Sequence, residues 1–395
     1  MIIHPQIQGC VARNCHPMGC RAAVLQQIEQ VRAAGPFNGP KRVLVLGASS
    51  GFGLASRIAL TFGAGADTLG VSFERGPSDK GLGSAGWYNN IWFRQAAEQA
   101  DRIAVNLIGD AFSDTMRQQA IDVIRQQLGQ VDLVVYSLAS GVRVMPDGTQ
   151  VRSVLKTTGQ PLQGWGLDLE HDALVQQSLV PATPEEIRDT VTVMGGEDWQ
   201  RWMQALQQAD CLAPGARTVA YSYIGPESTY PLYRDGTIGY AKEHLHATAE
   251  TINLQLAGIG GHAWVSVCKA LVTKASVFIP VLPVYLGLLM GVMKERGVHE
   301  GCIEQMQRLF ADKMYGPRGV VADGNRLIRM DDHELEPAVQ AAVSALWPKV
   351  TPDNFHALGD FAGLRQDFMQ LNGFELPGVD YGAPVDVASM TELLP

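Results

Sequence analysis

Two tyrosine–lysine pairs in this chain of 395 residues share one spacing, with eight residues between the partners: Tyr233 with Lys242, and Tyr285 with Lys294. A phenol can donate to an oxygen that is gaining negative charge. A nearby ammonium can hold the ribose hydroxyls of a dinucleotide and lower the phenol's pKa. No tyrosine has a lysine at the shorter gaps of three or six residues. Context separates the two pairs. Tyr285 lies in an apolar run and reads as core or pocket wall, whereas Tyr233 follows a strand and precedes the helix that carries Lys242. Nine positions on one helix turn through about 900°, half a turn out of phase, so both groups cannot face a ligand from one regular helix. Pro231 and Gly236 allow Tyr233 to sit in a loop, with the helix starting near Thr237. His244 and His246 read as packing or surface residues of that helix.

The second chemical signal is Gly47-Ala48-Ser49-Ser50-Gly51-Phe52-Gly53, which ends the apolar run Val43–Leu46 and opens a helical pattern of Leu54, Ile58 and Phe62. Strand, glycine turn and helix is the context in which glycines cradle a pyrophosphate on free backbone N–H groups and a helix dipole. The G-x-x-x-G-x-G spacing is the form used by short-chain dehydrogenases. A second strand, Thr68–Phe73, ends at Glu74, about twenty residues beyond Gly53, where an acidic residue binds the adenosine ribose and repels a 2′-phosphate. That favours NADH over NADPH, although the adjoining Arg75 softens the choice.

The elements that must position these groups alternate regularly. A helix over Arg21–Ala34 leads into the first strand. A glycine- and serine-rich loop, Gly76–Gly86, precedes a helix over Trp87–Ala100. A strand Ile103–Asn106, a helix Asp114–Leu128 and a strand Val131–Ser137 follow. Such alternation predicts an α/β, Rossmann-type, doubly wound parallel sheet with its ligand at the carboxyl ends of the strands. Gly47–Phe52, Phe73–Glu74, Asp110–Ala111 and Leu138–Ala139 then line one crevice; Asp110 alternatively caps a helix. Residues 141–184 read as an insertion with a short β-prone piece, Val151–Leu155, before a helical stretch, Pro184–Ala209. A fifth strand, Thr218–Ile224, carries Tyr221 and Tyr223; a helix Thr237–Leu256 and a sixth strand Ala263–Cys268 complete the pattern. The expected organisation is one enlarged domain over 1–395: a dinucleotide-binding half (41–140), the insertion (141–184), a catalytic and pocket half (217–295) and a C-terminal helical extension (296–395).

Composition narrows the partners. A net charge of −9 and pI of about 5.5 argue against nucleic acid. The six cysteines are few for the length, and with no secretory signal they suggest free thiols in the cytoplasm. Cys10, Cys15 and Cys20 lack the paired spacing of a metal site, and no metal is expected. Asp323-Gly324-Asn325 fails as a calcium loop, with Ile328 where a glycine is required. The uncharged run Ala275–Met293, between Lys274 and Lys294, is long enough to span a membrane but is broken by Pro280 and Pro283. It suits the wall of an apolar pocket better.

The joint motifs resemble the trans-2-enoyl-acyl-carrier-protein/CoA reductases of the FabV class, relatives of short-chain dehydrogenases. They run from His16-Pro-Met-Gly-Cys20 through Gly47-Ala-Ser-Ser-Gly51, Gly86-Trp-Tyr-Asn-Asn90, Tyr136-Ser-Leu-Ala-Ser140 and the Tyr233/Lys242 pair. Leu271-Val-Thr-Lys-Ala-Ser276, Arg329-Met-Asp-Asp332 and Gly378-Val-Asp-Tyr381 carry the likeness across essentially the whole chain. Phe52 departs from it where relatives often have tyrosine. The resemblance implies NADH-dependent reduction of a trans-2-enoyl thioester carried on acyl carrier protein or coenzyme A. It implies Tyr233 as proton donor, Tyr223 in contact with substrate, Lys242 on the cofactor ribose, and Leu271, Val272 and Thr273 holding the cofactor. It leans towards a monomer. A carbonyl reductase of the same fold and a dinucleotide sensor without turnover are the alternative readings. No motif supports a flavin in the C-terminal region.

Overall fold

Four consecutive apolar residues, Val43–Leu46, make strand β1 (Arg42–Leu46) buried on both faces, as a central parallel strand must be. The computed structural model describes residues 1–78 and 81–395; Asp79 and Lys80, in the Gly76–Gly86 loop, lie outside the described residues. Around β1 the sheet adds β2 (Asp67–Ser72), β3 (Ala104–Ile108), β4 (Val131–Tyr136), β5 (Leu212–Ser222), β6 (His262–Val267) and β7 (Leu327–Arg329). All seven are parallel, in the spatial order β3-β2-β1-β4-β5-β6-β7. This is the expected doubly wound arrangement, reversing direction between β1 and β4.

Alternation along the strands sorts the two faces. Leu44, Leu46, Leu69 and Val71 pack with Trp199, Trp202, Leu206, Leu245 and Ile252, while Val43, Val45, Leu133 and Val135 pack with Val24, Ile28, Ile58, Phe93 and Ile303. A third cluster lies beyond the sheet and joins Tyr233, Tyr285, Leu289, Val339, Phe361 and Phe368. It is built around the helix Leu282–Glu295, the core of the uncharged run. At 14 residues that helix is about 21 Å long, short of a bilayer's hydrocarbon core of about 30 Å. Among the described residues no helix is long and apolar enough to cross a membrane.

Several expectations are corrected. The first long helix begins at Pro17, ahead of Arg21, because Pro17 occupies its first turn and His16 Nδ1 accepts the Gly19 N–H at 3.1 Å. The extension after residue 296 is not purely helical, since it supplies β7, paired with β6. Residues 141–184 form two antiparallel hairpins, 142–152 and 162–179, the second with strands Leu162–Asp168 and Ala173–Leu179. Strand β5 stops at Ser222, so Tyr223 lies just past it. Tyr233 closes a short helical turn, Tyr230–Tyr233, in place of the expected loop; the following helix does start at Thr237.

Candidate active site

The glycine turn is shaped by backbone clearance. Gly47 has φ +87°, and a Cβ there would strike the Ser137 carbonyl; a Cβ on Gly53 would strike the Gly47 carbonyl oxygen. Gly51, φ +54°, opens the helix Gly51–Ile58, and a Cβ on it would meet the Thr273 side chain at ordinary contact, 3.6 Å from Cγ2 and 3.8 Å from Cβ. Ser50 makes no side-chain cap, so the first N–H groups of that helix are left for a ligand. Ala48 is buried, its N–H bonded to the Val71 carbonyl at 3.1 Å. Phe52 rests against Tyr221, ring centroids 5.9 Å apart.

The crevice floor follows from strand order. Gly47, Phe73–Glu74, Asp110–Ala111 and Leu138–Ala139 each follow a strand end, on β1, β2, β3 and β4, which are neighbours. Glu74 is tied to the turn: Ser49 Oγ donates to its Oε1 at 2.5 Å and Ser84 Oγ to its Oε2. Phe73 stands 83% exposed at the crevice edge. Asp110 is not the helix cap; Ser113 takes that role, accepting the Met116 N–H, while Asp110 Oδ1 accepts the Phe112 N–H at 2.9 Å. Ala111 is buried, its carbonyl accepting from Trp202 Nε1. Thr273 faces Gly51 from the segment after β6, and its Oγ1 also caps a local turn by accepting the Ser276 N–H at 3.0 Å. Leu271 and Val272 beside it are buried. Backbone donors, an acidic group at the end of β2 and no Cβ at the close approach fit a dinucleotide.

Tyr223 and Tyr233 meet edge to face, centroids 4.5 Å apart at 81°. Tyr233 is 5% exposed, and among the described residues its hydroxyl has no hydrogen-bond partner. It lines a cavity of about 330 Å³ with Leu162, Gly164, Leu232, Val281, Leu282 and Trp347. Lys242 Nζ donates to the Tyr221 carbonyl at 3.2 Å, and burial pushes its pKa down to about 8. The lysine is not what sets the phenol. Burial and then the charge of Glu334 hold the Tyr233 pKa well above its usual value, contrary to the expected lowering by Lys242. His246 packs as expected, its Nε2 against Ser222 Oγ at 2.8 Å, and His244 Nδ1 accepts the Gly196 N–H at 3.0 Å.

Sequence reasoning passed over Glu334. It is fully buried and accepts from Tyr223 OH at 2.8 Å, Tyr285 OH at 2.6 Å and the Ala270 N–H at 2.7 Å. The only trace in the sequence is its place two residues after Asp332, in the motif that helped carry the resemblance.

Comparison with known proteins gives three family models: the NAD(P)H binding domain of trans-2-enoyl-CoA reductase over residues 2–79, the trans-2-enoyl-CoA reductase catalytic region over 81–315, and the enoyl reductase FAD binding domain over 322–385. The chain is similar to an enoyl-[acyl-carrier-protein] reductase [NADH] of Photobacterium profundum, 57% identical with 100% of both chains covered. It is 50% identical to a trans-2-enoyl-CoA reductase [NADH] of Clostridium beijerinckii, again with 100% of both covered. Among solved structures, the trans-2-enoyl-CoA reductase of Clostridium acetobutulicum in complex with NADH matches with TM-score 0.98 at 45% identity, covering 100% of both chains. That of Treponema denticola in complex with NAD matches with TM-score 0.94 at 48% identity, covering 98% of both.

Residues 322–385 do not fit the flavin that the third model's description names. Leu327–Arg329 is the edge strand of the sheet, Glu334 is engaged by three protein donors, and Val339, Val343, Phe361 and Phe368 are core. By identity over its whole length to these relatives, the chain belongs to the trans-2-enoyl-CoA reductase family.

Proposed function

We propose that this protein reduces the 2,3 double bond of trans-2-enoyl thioesters with NADH, in fatty-acid biosynthesis, with the acyl chain lying in the cavity beside Tyr233. One continuous segment carries the reading: Thr273 faces Gly51 at the cofactor crevice, and the same segment runs on to Val281 and Leu282 in the cavity wall with Tyr233. Cofactor and acyl chain are thereby brought to one place.

Bound at the glycine turn, NADH supplies a hydride to the β-carbon of the enoyl thioester. The double-bond pair moves through the α-carbon to the carbonyl, and negative charge develops on the thioester oxygen. Tyr233 donates a hydrogen bond to that oxygen, and a proton finally adds to the α-carbon, giving the saturated thioester. Burial suits this role, because it keeps the phenol protonated well above neutral pH and strengthens its bond to an oxyanion. Lys242 holds the nicotinamide ribose, Glu74 the adenosine ribose, and the turn Gly47–Phe52 the pyrophosphate. Asp110, Ala111, Leu138 and Ala139 line the remaining crevice, and Tyr223 contacts the thioester end of the substrate. Relatives named for either carrier match at similar identity, so the thioester rather than its carrier defines the substrate class.

The test is NADH oxidation at 340 nm with crotonyl- and dodecenoyl-CoA and with the acyl-carrier-protein forms, comparing wild type with Tyr233→Phe. Turnover in wild type, lost in the variant while NADH still binds, supports the reading. A wild type that binds NADH but reduces none of these thioesters removes it in favour of a ketone reductase or a sensor.

A further inference from the structure

Tyr233, in the cavity wall, meets a second phenol, Tyr223, edge to face, and only one of the two has a proton to spare. Tyr223 donates to Glu334 Oε1 at 2.8 Å. Tyr285 donates to the same oxygen at 2.6 Å, its own oxygen being taken by Gln340 Nε2 at 3.0 Å. Glu334 Oε2 accepts the Ala270 N–H at 2.7 Å. Three donors converge on the two oxygens and none is asked to accept, which is the pattern of an ionised carboxylate. Burial raises the Glu334 pKa, and the three donors together with the Lys269 ammonium, buried and bonded to the Ala270 carbonyl at 3.1 Å, work against that rise. A phenol has a single proton, so Tyr223 has none left for a substrate oxygen, whereas among the described residues the Tyr233 hydroxyl has no hydrogen-bond partner.

We propose that Glu334 is a positioning residue for the reduction: by accepting the hydrogen bond of the Tyr223 hydroxyl it leaves Tyr223 only lone pairs to offer and Tyr233 as the phenol that donates to the thioester oxygen. This rests on the reductase reading above. The same carboxylate bonds Ala270, which directly precedes Leu271–Thr273, so the tyrosine pair and the cofactor-facing segment are held in register by one group. Without Glu334, Tyr223 becomes a second donor and competes with Tyr233 for the oxygen or bonds to it, and the alignment is lost in the transition state more than in substrate binding.

Steady-state kinetics with crotonyl-CoA and NADH test this in Glu334→Gln, Tyr223→Phe, Tyr285→Phe and the double variant of Glu334 and Tyr223. Glu334→Gln is expected to lower kcat at least about tenfold with KM for NADH changed less than about threefold. The double variant is expected to lose no more than the worse single one, since Glu334 acts through Tyr223. A folded Glu334→Gln protein with wild-type kcat, or losses that multiply in the double variant, overturns the proposal. Should Glu334→Gln fail to fold, the tyrosines decide, because each removes one donor from the same oxygen. Tyr223→Phe is expected to cost kcat at least about fivefold more than Tyr285→Phe, and equal losses overturn the assignment. A wild type without thioester turnover overturns the reductase reading itself, a result seen before any variant is made.

Discussion

The cofactor crevice and the tyrosine site lie at the same carboxyl edge of one sheet, and they are made of different material. The crevice is backbone: Gly47, Gly51 and Gly53 lie within seven consecutive residues, and what matters is where a Cβ is absent. The tyrosine site is side chain: Tyr223 comes from just past β5, Tyr233 from the helical turn after it, Tyr285 from the uncharged helix, and Glu334 from beyond β7. A backbone site is specified locally and tolerates almost no substitution at its glycines. A side-chain site is specified by long-range packing, and its parts can be removed singly.

The sharpest way to break that contrast is at the turn. Gly53→Ala places a methyl on the Gly47 carbonyl, and with no flexible side chain to give way it is expected to weaken NADH binding more than about 100-fold or to prevent folding. Titration of NADH fluorescence, alongside circular dichroism, measures this; near-normal affinity would mean the turn is less rigid than its clearances indicate. On the tyrosine side, Tyr233→Phe is expected to lower kcat about 10²- to 10³-fold, the cost of one oxyanion donor, while the NADH dissociation constant stays within about twofold. Glu74→Ser removes the carboxylate held by Ser49 and Ser84 and is expected to raise relative use of NADPH about tenfold in kcat/KM. Trp347→Ala enlarges the cavity, and is expected to shift kcat/KM towards longer acyl chains by a few-fold, with KM for NADH unmoved.

The smallest effect is on pH. Burial lowers the Lys242 pKa to about 8, so the ammonium proposed to hold the ribose is lost as pH rises through that value. KM for NADH is expected to rise about two- to threefold between pH 7 and 9 in wild type and to stay flat in Lys242→Met. A slope that persists in the variant would place the titrating group elsewhere.

The same division explains what could be read in advance. Strand β1, the glycine turn and the helix starting at Thr237 were visible because hydrophobic period and turn chemistry act over a few residues. Tyr233 was visible through its spacing to Lys242, although its helical turn was not. The hairpin 162–179 was missed because Gly164, Gly166, Gln176 and Gln177 interrupt any apolar alternation; what holds it includes Leu167 and Leu174 packing on the third core cluster. Strand β7 was missed because three residues are too few for a period, and its pairing with β6 is non-local. The early start of the helix at Pro17 has no sequence mark because its N-cap is a histidine, not one of the usual serine, threonine or aspartate caps. Glu334 had no signal of its own. A buried carboxylate is marked only by the three donors around it, and these come from segments that meet after folding.

The contact between residues 16–20 and 372–373 sets an order in time. The Asn372 carbonyl accepts the His16 N–H at 3.0 Å, and Gly19 is packed so closely against Gly373 that neither leaves room for a methyl. A ribosome makes the first of these segments long before the second, so the first turn of the helix that opens at Pro17 must wait for nearly the whole chain, although Val24 and Ile28 further along it meet Val43, Val45 and Phe93 much earlier. The wait is the same at the tyrosines, where Tyr223 and Tyr233 emerge about a hundred residues ahead of Glu334. A nascent chain can therefore shape its nucleotide turn early, yet Tyr223 has no carboxylate to bond until Glu334 has been synthesised.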